Sequence, residues 1–464
     1  MMRTCFTVKC FFKIIVALSL FLPEKTKAQE SESITSLFKL KWQSEIGITT
    51  YRSNILYDNN TLFLGTNGKS SSDDDDKADG VYLLNASSGK TMLQIKTVKG
   101  DADVNGIAKS GDFLFFGTDN NIFYCFTVKG KKVWEYVVNE DNSNRIGNIE
   151  SCPALSDLNN DGFDDVVFTA EGKGLYALNG KNGKLLWKFE EYGEEGSYMN
   201  SPALCDMNKD GVADIVFGAR GEKFRISDWD YGNALLALDG KTGNTLWNYR
   251  YTSGMKSSPH FIMKGMEAFI SMNEVYSQIH FLSLRGELLK SVVFEGIGSF
   301  SGAISGLYSS AIISPSGNIA VGSSWWGEED AIYIDRVDPG HYIKDENGFL
   351  VLDSRERIYH QTGKVSATPL VADILGIGQF QYIFCSEAGK MYITREDGVV
   401  LHQLELPEGV EASPLIKDID LDGKLEIVVT TMQGRIFCYD TESKGLVHYG
   451  QFRANNKNTG VIDF

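Results

Sequence analysis

The chain is poor in several features that would narrow its chemistry. Cysteine is sparse: seven residues in 464, none adjacent to another and none in a CxxC pair. A disulfide framework is therefore not expected, and the cysteines inside apolar runs, such as Phe123-Tyr-Cys125-Phe, read as small buried apolar residues. There is no HExxH, GxSxG, phosphate-binding P-loop or CxxCH motif, and Gly296, Gly298 and Gly302 do not have dinucleotide-fingerprint spacing. The six histidines (260, 280, 341, 360, 402 and 448) show no metal-ligand spacing. Positive charge is in deficit, with 45 Lys+Arg against 61 Asp+Glu and a net charge of −16. That argues against a nucleic-acid partner, which needs a basic face. The longest early apolar run, Ile14 to Leu22, is far short of the ~20 residues a membrane-spanning helix needs. No long amphipathic helix pattern follows it.

What is present points outside the cytoplasm. Arg3, Lys9 and Lys13 precede the apolar run, and Thr26-Lys-Ala28 places small residues before a cleavage point. Residues 1–28 are therefore expected to be a secretory signal peptide and 29–36 a short linker, with 37–464 one domain. The expected location is secreted or periplasmic. No cysteine directly follows the apolar run, so a bacterial lipid anchor is not expected. Apolar content of 42% supports a packed core and excludes wholesale disorder.

Written against itself, the chain repeats. One unit runs Ser151-Cys-Pro-Ala-Leu, Asp157 to Asp165, Val166-Val-Phe-Thr, Leu175-Tyr-Ala-Leu-Asn, then Leu185-Leu-Trp-Lys-Phe. It returns from Ser201 to Tyr249 and again from Ser413 to Asp440, with fainter copies near Ser53, Asn105, Ser257, Ser309 and Ala367. Eight starts at a mean step of about 51 residues, each with four short strands, predict an all-β propeller of eight blades, with seven the alternative. Phe38-Lys-Leu-Lys-Trp42 resembles a fourth strand but precedes the first full unit. It is expected to complete the blade begun near Ser413 and close the ring, with the tail Gln451–Gly460 packing at that seam.

Two family resemblances rest on these residues. Ala237-Leu-Asp239-Gly-Lys-Thr242-Gly243 to Trp247 resembles the repeat of quinoprotein-type propellers, with Ala177 to Trp187 a close second. The Asp-rich segments resemble the FG-GAP repeats of integrin α-chain propellers. These resemblances imply a ligand-binding or scaffold unit, since a quinoprotein-like propeller also serves the bacterial outer-membrane assembly machine. They also imply, as the enzymatic alternative, a quinone-dependent oxidoreductase or a carbohydrate-active lyase or hydrolase. Quinone enzymes of this type often carry adjacent cysteines beside the cofactor. Their absence here, together with the short chain, argues against PQQ.

Three loops share D-x-[DN]-x-D-G-x-x-[DE]. They offer Asp157, Asn159, Asp161 and Asp165; Asp206, Asn208, Asp210 and Asp214; and Asp418, Asp420, Asp422 and Glu426. Alternating oxygens can wrap a hard cation, glycine at the sixth position permits the sharp turn, and no nitrogen or sulfur ligand is offered. The expected cofactor is Ca²⁺, at up to three structural sites. Phe168, Phe217 and Val429 stand where an EF-hand needs Glu, so the loops are not EF-hands. The equivalent segment Asp373 to Gln381 has lost its acids and is expected to be empty.

With these loops joining strands 1 and 2, the connections between strands 2 and 3 emerge on the opposite face. Three of them are swollen: Asn67 to Gly80 with Asp73–Asp76, Arg220 to Asn233, and Trp325 to Phe349. Arg225, Trp229, Tyr231, Trp325, Trp326, His341 and Tyr342 are the candidate ligand-binding residues on this face. The expected partner is a protein or a glycan, and no catalytic residue is assigned.

Overall fold

The computed structural model describes residues 37–463, except 70–77, 98–102, 141–145, 191–199, 222–223, 225–231, 252–253, 266, 275–277, 294–307, 324–330, 337–342, 345–349 and 352–357. Residues 1–36 and every candidate ligand-binding residue named above lie outside the described residues, as do Asp73–Asp76.

Among the described residues the regular elements are strands. They form eight sheets of four or five strands, plus one two-stranded ribbon of Ile343–Lys344 and Leu350–Val351. Each repeat unit makes one antiparallel sheet in chain order. In blade 3 the strands are Ala154–Ser156, Asp165–Ala170, Gly174–Leu178 and Leu185–Phe189. Blade 4 follows with Ala203–Cys205, Asp214–Arg220, Asn233–Leu238 and Thr245–Tyr251. In blade 8, Leu415–Lys417, Glu426–Thr430 and Arg435–Thr441 are completed by Phe38–Glu45, which pairs antiparallel with Arg435–Thr441. The ring is thus closed by the strand the repeat left over, which covers the outer edge of Arg435–Thr441.

The cores lie between consecutive blades. Phe123 of blade 2 stacks on Phe168 of blade 3 with centroids 4.2 Å apart. The repeat tryptophans work as cross-blade knobs. Trp134 of blade 2 lies against Gly183 in the last turn of blade 3 and donates its indole N–H to the Gly180 carbonyl at 2.9 Å. A Cβ on Gly183, which has φ of +72°, would fall 2.7 Å from that ring, so both the turn and the close approach require glycine. Trp187 and Trp247 repeat the contact on blades 4 and 5, through the carbonyls of Gly240 and Leu284. Trp42, on the closing strand, repeats it on blade 1 through the Ala86 carbonyl. The seam therefore uses the same joint as blades 2 to 4.

First strands lie innermost and touch their neighbours around the axis. Here the tail departs from expectation: it does not pack at the outer seam but crosses the axis. Val447–Tyr449 pairs with the inner strand of blade 7, and the Ile416 N–H of blade 8 donates to Gly450. Beyond the crossing, the carbonyls of Asn456, Lys457, Thr459 and Gly460 accept from Lys109, Leu155, Leu204 and Phe261, the inner strands of blades 2 to 5. Val461–Asp463 then runs parallel to His260–Lys264. Inner strands have a free edge at the axis, and the tail supplies the partner that edge lacks. At its centre Arg453 is fully buried. It donates to the carbonyls of Pro259 (2.7 Å) and Pro202 (2.5 Å).

A second correction concerns blade 6. Its third and fourth strands are Ala331–Arg336 and Ile358–Gln361, so residues 323–330 link strands 2 and 3 while 337–357 link strands 3 and 4. The segment from Trp325 to Phe349 is therefore not one connection. His341 and Tyr342 belong to the link between strands 3 and 4, not the link that carries Trp325 and Trp326.

Candidate functional sites: acidic loops and the axial mouth

All three acidic loops join the first and second strands of their blades. Their side chains first organise their own backbone. In blade 3, Asp157 accepts from the N–H groups of Asp161 (3.1 Å) and Gly162 (2.9 Å), Asn159 from Asp161 (2.9 Å), and Asp161 from Phe163 (2.9 Å). The position-nine acid, Asp165, is fully buried and accepts from Leu158, Asn159 and Gly180. Burial pushes its carboxyl up to about 6 against these hydrogen bonds. Blade 4 repeats the pattern with Asp206, Asn208, Asp210 and Asp214, and burial raises Asp214 likewise. In both loops the fourth and sixth residues are left-handed: Asn160 and Gly162, then Lys209 and Gly211. A cation bound here would meet the oxygens of positions 1, 3 and 5 on an exposed rim, the donor set that suits Ca²⁺.

The third loop keeps this backbone, with Leu421 and Gly423 left-handed, but differs electrostatically. Oxygens of Asp418, Asp420 and Glu426 lie within 4.8 Å of one another, and Lys41 reaches into them. Lys241 also touches Asp210 in the second loop, at 2.9 Å, but from an exposed position and on one acid only.

On the opposite face, blade links descend into the inner strands. At one repeat position a hydroxyl or thiol recurs, and the residues bind in sequence around the axis. The N–H of Cys152 donates to Ser201 Oγ, Ser201 to Ser258, Ser258 to Ser310, Ser310 to Thr368 and Thr368 to Ser413, at 2.9–3.2 Å. The residue before each is small and buried: Ser151, Asn200, Ser257, Ser309, Ala367 and Ala412. One residue further back the regularity ends. Blades 1, 3, 5, 6 and 8 place Arg52, Glu150, Lys256, Tyr308 and Glu411 there, all half-buried.

These groups act on one another across the axis. Arg52 pairs with Glu150 and lies 4.6 Å above the ring of Tyr51, which meets Tyr308 edge-on at 5.4 Å. Burial would lower the Arg52 guanidinium, but Tyr51, Glu150, Glu171 and Glu411 raise it. Lys256, from the far side of the ring, is lowered by burial and then by Arg52. Burial, with Glu387 beside it, pushes Glu411 up to about 7. Sequence reading missed this ring. The available signal was the repeat alignment, in which a position that changes chemistry from blade to blade sits directly before one that does not.

An FG-GAP-like repeat model matches residues 157–217, from the first acidic loop through the second. The chain is a β-propeller with an FG-GAP-like repeat. No curated protein sequence matches it. Among solved structures, this propeller is similar to a quinohemoprotein alcohol dehydrogenase from Comamonas testosteroni. The TM-score is 0.63 at 12% identity, over 89% of this chain and 78% of that one. A europium-containing methanol dehydrogenase gives 0.63 at 13%, over 88% and 94%. BamB from Moraxella catarrhalis gives 0.51 at 10%, over 85% and 99%. These likenesses are of fold. Among the described residues no helix is long and apolar enough to cross a membrane.

Proposed function

We propose that this propeller is a secreted or periplasmic binding module. In this reading it is stabilised by Ca²⁺ in its first two acidic loops and takes a protein or glycan ligand, without turnover, on the blade-link face. The observation that carries the reading is the mouth ring. Arg52, Glu150, Lys256, Tyr308 and Glu411, with Tyr51 beside Arg52, keep solvent exposure while coupled to one another, at the position where the repeat stops being regular. Structure alone needs no such variety there, because the hydroxyl ring beneath already joins blades 3 to 8. Mixed charge with phenolic edges suits the hydroxyls of a sugar or the polar groups of a peptide.

The dehydrogenase neighbours make quinone-dependent oxidation the second reading. The cysteines fit it poorly. Cys152, which reaches the axial level, is single and packs beneath Gly106, donating to the Arg52 carbonyl at 3.2 Å. A glycan array and a pull-down with the mature chain, each repeated with Arg52→Ala and Glu411→Gln, test the proposal. Binding that falls at least tenfold in folded variants supports it. Binding indifferent to both variants rejects the mouth as the site. Dye reduction appearing on addition of PQQ and Ca²⁺ favours the enzymatic alternative.

A further inference from the structure

The third acidic loop carries the full cation motif, yet a cation belonging to the chain already reaches it. Lys41 Nζ lies 2.5 Å from Asp420 Oδ2, 3.4 Å from Glu426 Oε1 and 2.7 Å from Asp440 Oδ1, with its side chain only 17% exposed. Asp420 and Glu426 are positions three and nine of the motif. Position one, Asp418, leaves its Oδ1 buried without a hydrogen-bond partner.

Strand register supplies an independent observation. Lys41 is the extra residue where the closing strand slips against Arg435–Thr441, between Leu40 and Trp42. Fourth strands of six other blades slip at the same place, and their extra residues are Met92, Val133, Leu186, Leu246, Leu289 and Leu401. Every one is apolar. Blade 8 alone of these seven breaks the rule with a cation, and it does so opposite an acidic loop.

We infer that the third loop is a latch and not a Ca²⁺ site: the Lys41 ammonium is its resident cation, fastening the closing strand to the loop of the blade it completes. A divalent ion and the ammonium need the same oxygens of Asp420 and Glu426, so they exclude each other. The latch gives the seam a fastening that a Ca²⁺ chelator cannot remove.

The test counts Ca²⁺ bound per chain, by equilibrium dialysis of the mature protein, for wild type, Asp418→Asn, Lys41→Met and Lys41→Met with Asp418→Asn. The latch predicts that Asp418→Asn leaves the wild-type count unchanged. It predicts that Lys41→Met gains one Ca²⁺ per chain and that the double variant loses that gain. A folded Lys41→Met with no gain overturns the inference. So does an Asp418→Asn count one below wild type, which decides the matter even if Lys41→Met fails to fold. Because the readout is a difference at the third loop, it stands apart from whether the first two loops bind Ca²⁺ or the mouth binds a ligand.

Discussion

Replacing Arg453 by methionine keeps most of the side-chain stem and removes the guanidinium at the centre of the ring. Two opposing effects decide the outcome. The substitution deletes charge-assisted hydrogen bonds to the Pro259 and Pro202 carbonyls, on blades 5 and 4. At about 1.5–3 kcal/mol each, that loss is about 3–6 kcal/mol. Against it stands the relief of removing a buried cation: burial drags the guanidinium from 12.5 down to about 10. At 1.36 kcal/mol per unit this is worth roughly 3 kcal/mol. The difference is about 0–3 kcal/mol, and the two buried carbonyls left unpaired keep it on the destabilising side. Urea unfolding followed by tryptophan fluorescence measures it, and limited proteolysis reports whether the tail is released first. A methionine variant as stable as wild type, or more so, would refute the reasoning. The guanidinium would then be a burden carried by the tail rather than its anchor, as happens when a buried charge is replaced by a well-packed apolar group.

Trp134→Ala should cost about 3–5 kcal/mol, because the indole is 9% exposed and bridges blades 2 and 3; a urea midpoint shift under a third of that would remove the knob from the account. Chelation should lower the melting temperature of wild type, since each Ca²⁺ loop at tenfold excess contributes about 1.4 kcal/mol. An Asp157→Asn, Asp206→Asn double variant should be indifferent to chelator in the same calorimetric scan. Glu411 gives a pH dependence. Its folded carboxyl is raised from 4.5 to about 7, so the folded state holds the proton more tightly than the unfolded chain. Its contribution to stability is therefore greatest below pH 4.5 and falls as pH rises through about 7, by at most about 3 kcal/mol. Glu411→Gln should flatten that fall, and identical urea midpoint trends from pH 4.5 to 8 in the two proteins would contradict it.

The blade architecture was legible because each blade repeats the same short signals. Gly183 and Gly243 mark turns, Trp134, Trp187 and Trp247 mark joints, and Pro153 and Pro202 mark the entries to inner strands. The closing strand could be read for the same reason, since Phe38–Trp42 carries the joint tryptophan. The tail could not. From sequence Gln451–Gly460 is expected at the seam, and only the three-dimensional ring shows that inner-strand edges need partners that a one-blade repeat does not supply. Arg453 was equally hidden, because an arginine in a polar segment carries no sign that it will be buried. Lys41 lay in plain view inside the strand motif. Its meaning depends on register against Arg435–Thr441, and sequence alone does not set which residue bulges.

The fourth, acid-poor loop separates folding from ion binding. Asp373 accepts from the N–H groups of Ile377 (2.9 Å) and Gly378 (2.8 Å), as Asp157 does from Asp161 and Gly162. Gly376 and Gly378 take the left-handed positions four and six, and Gln381 accepts from Leu375 at 3.1 Å, in the role of Asp165. The same turn thus forms with Leu375 and Ile377 where the other loops carry Asn or Asp. Acids at positions three and five are not what folds this turn. In the first two loops the acids at positions one and five, Asp157 with Asp161 and Asp206 with Asp210, place negative charge on an exposed rim that a counter-charge can balance. In the third loop the chain brings its own. One backbone therefore carries three electrostatic arrangements: no excess charge, a tethered ammonium, and a rim of acids open to a free cation. Ca²⁺ dependence should follow the last of these and not the number of motif matches.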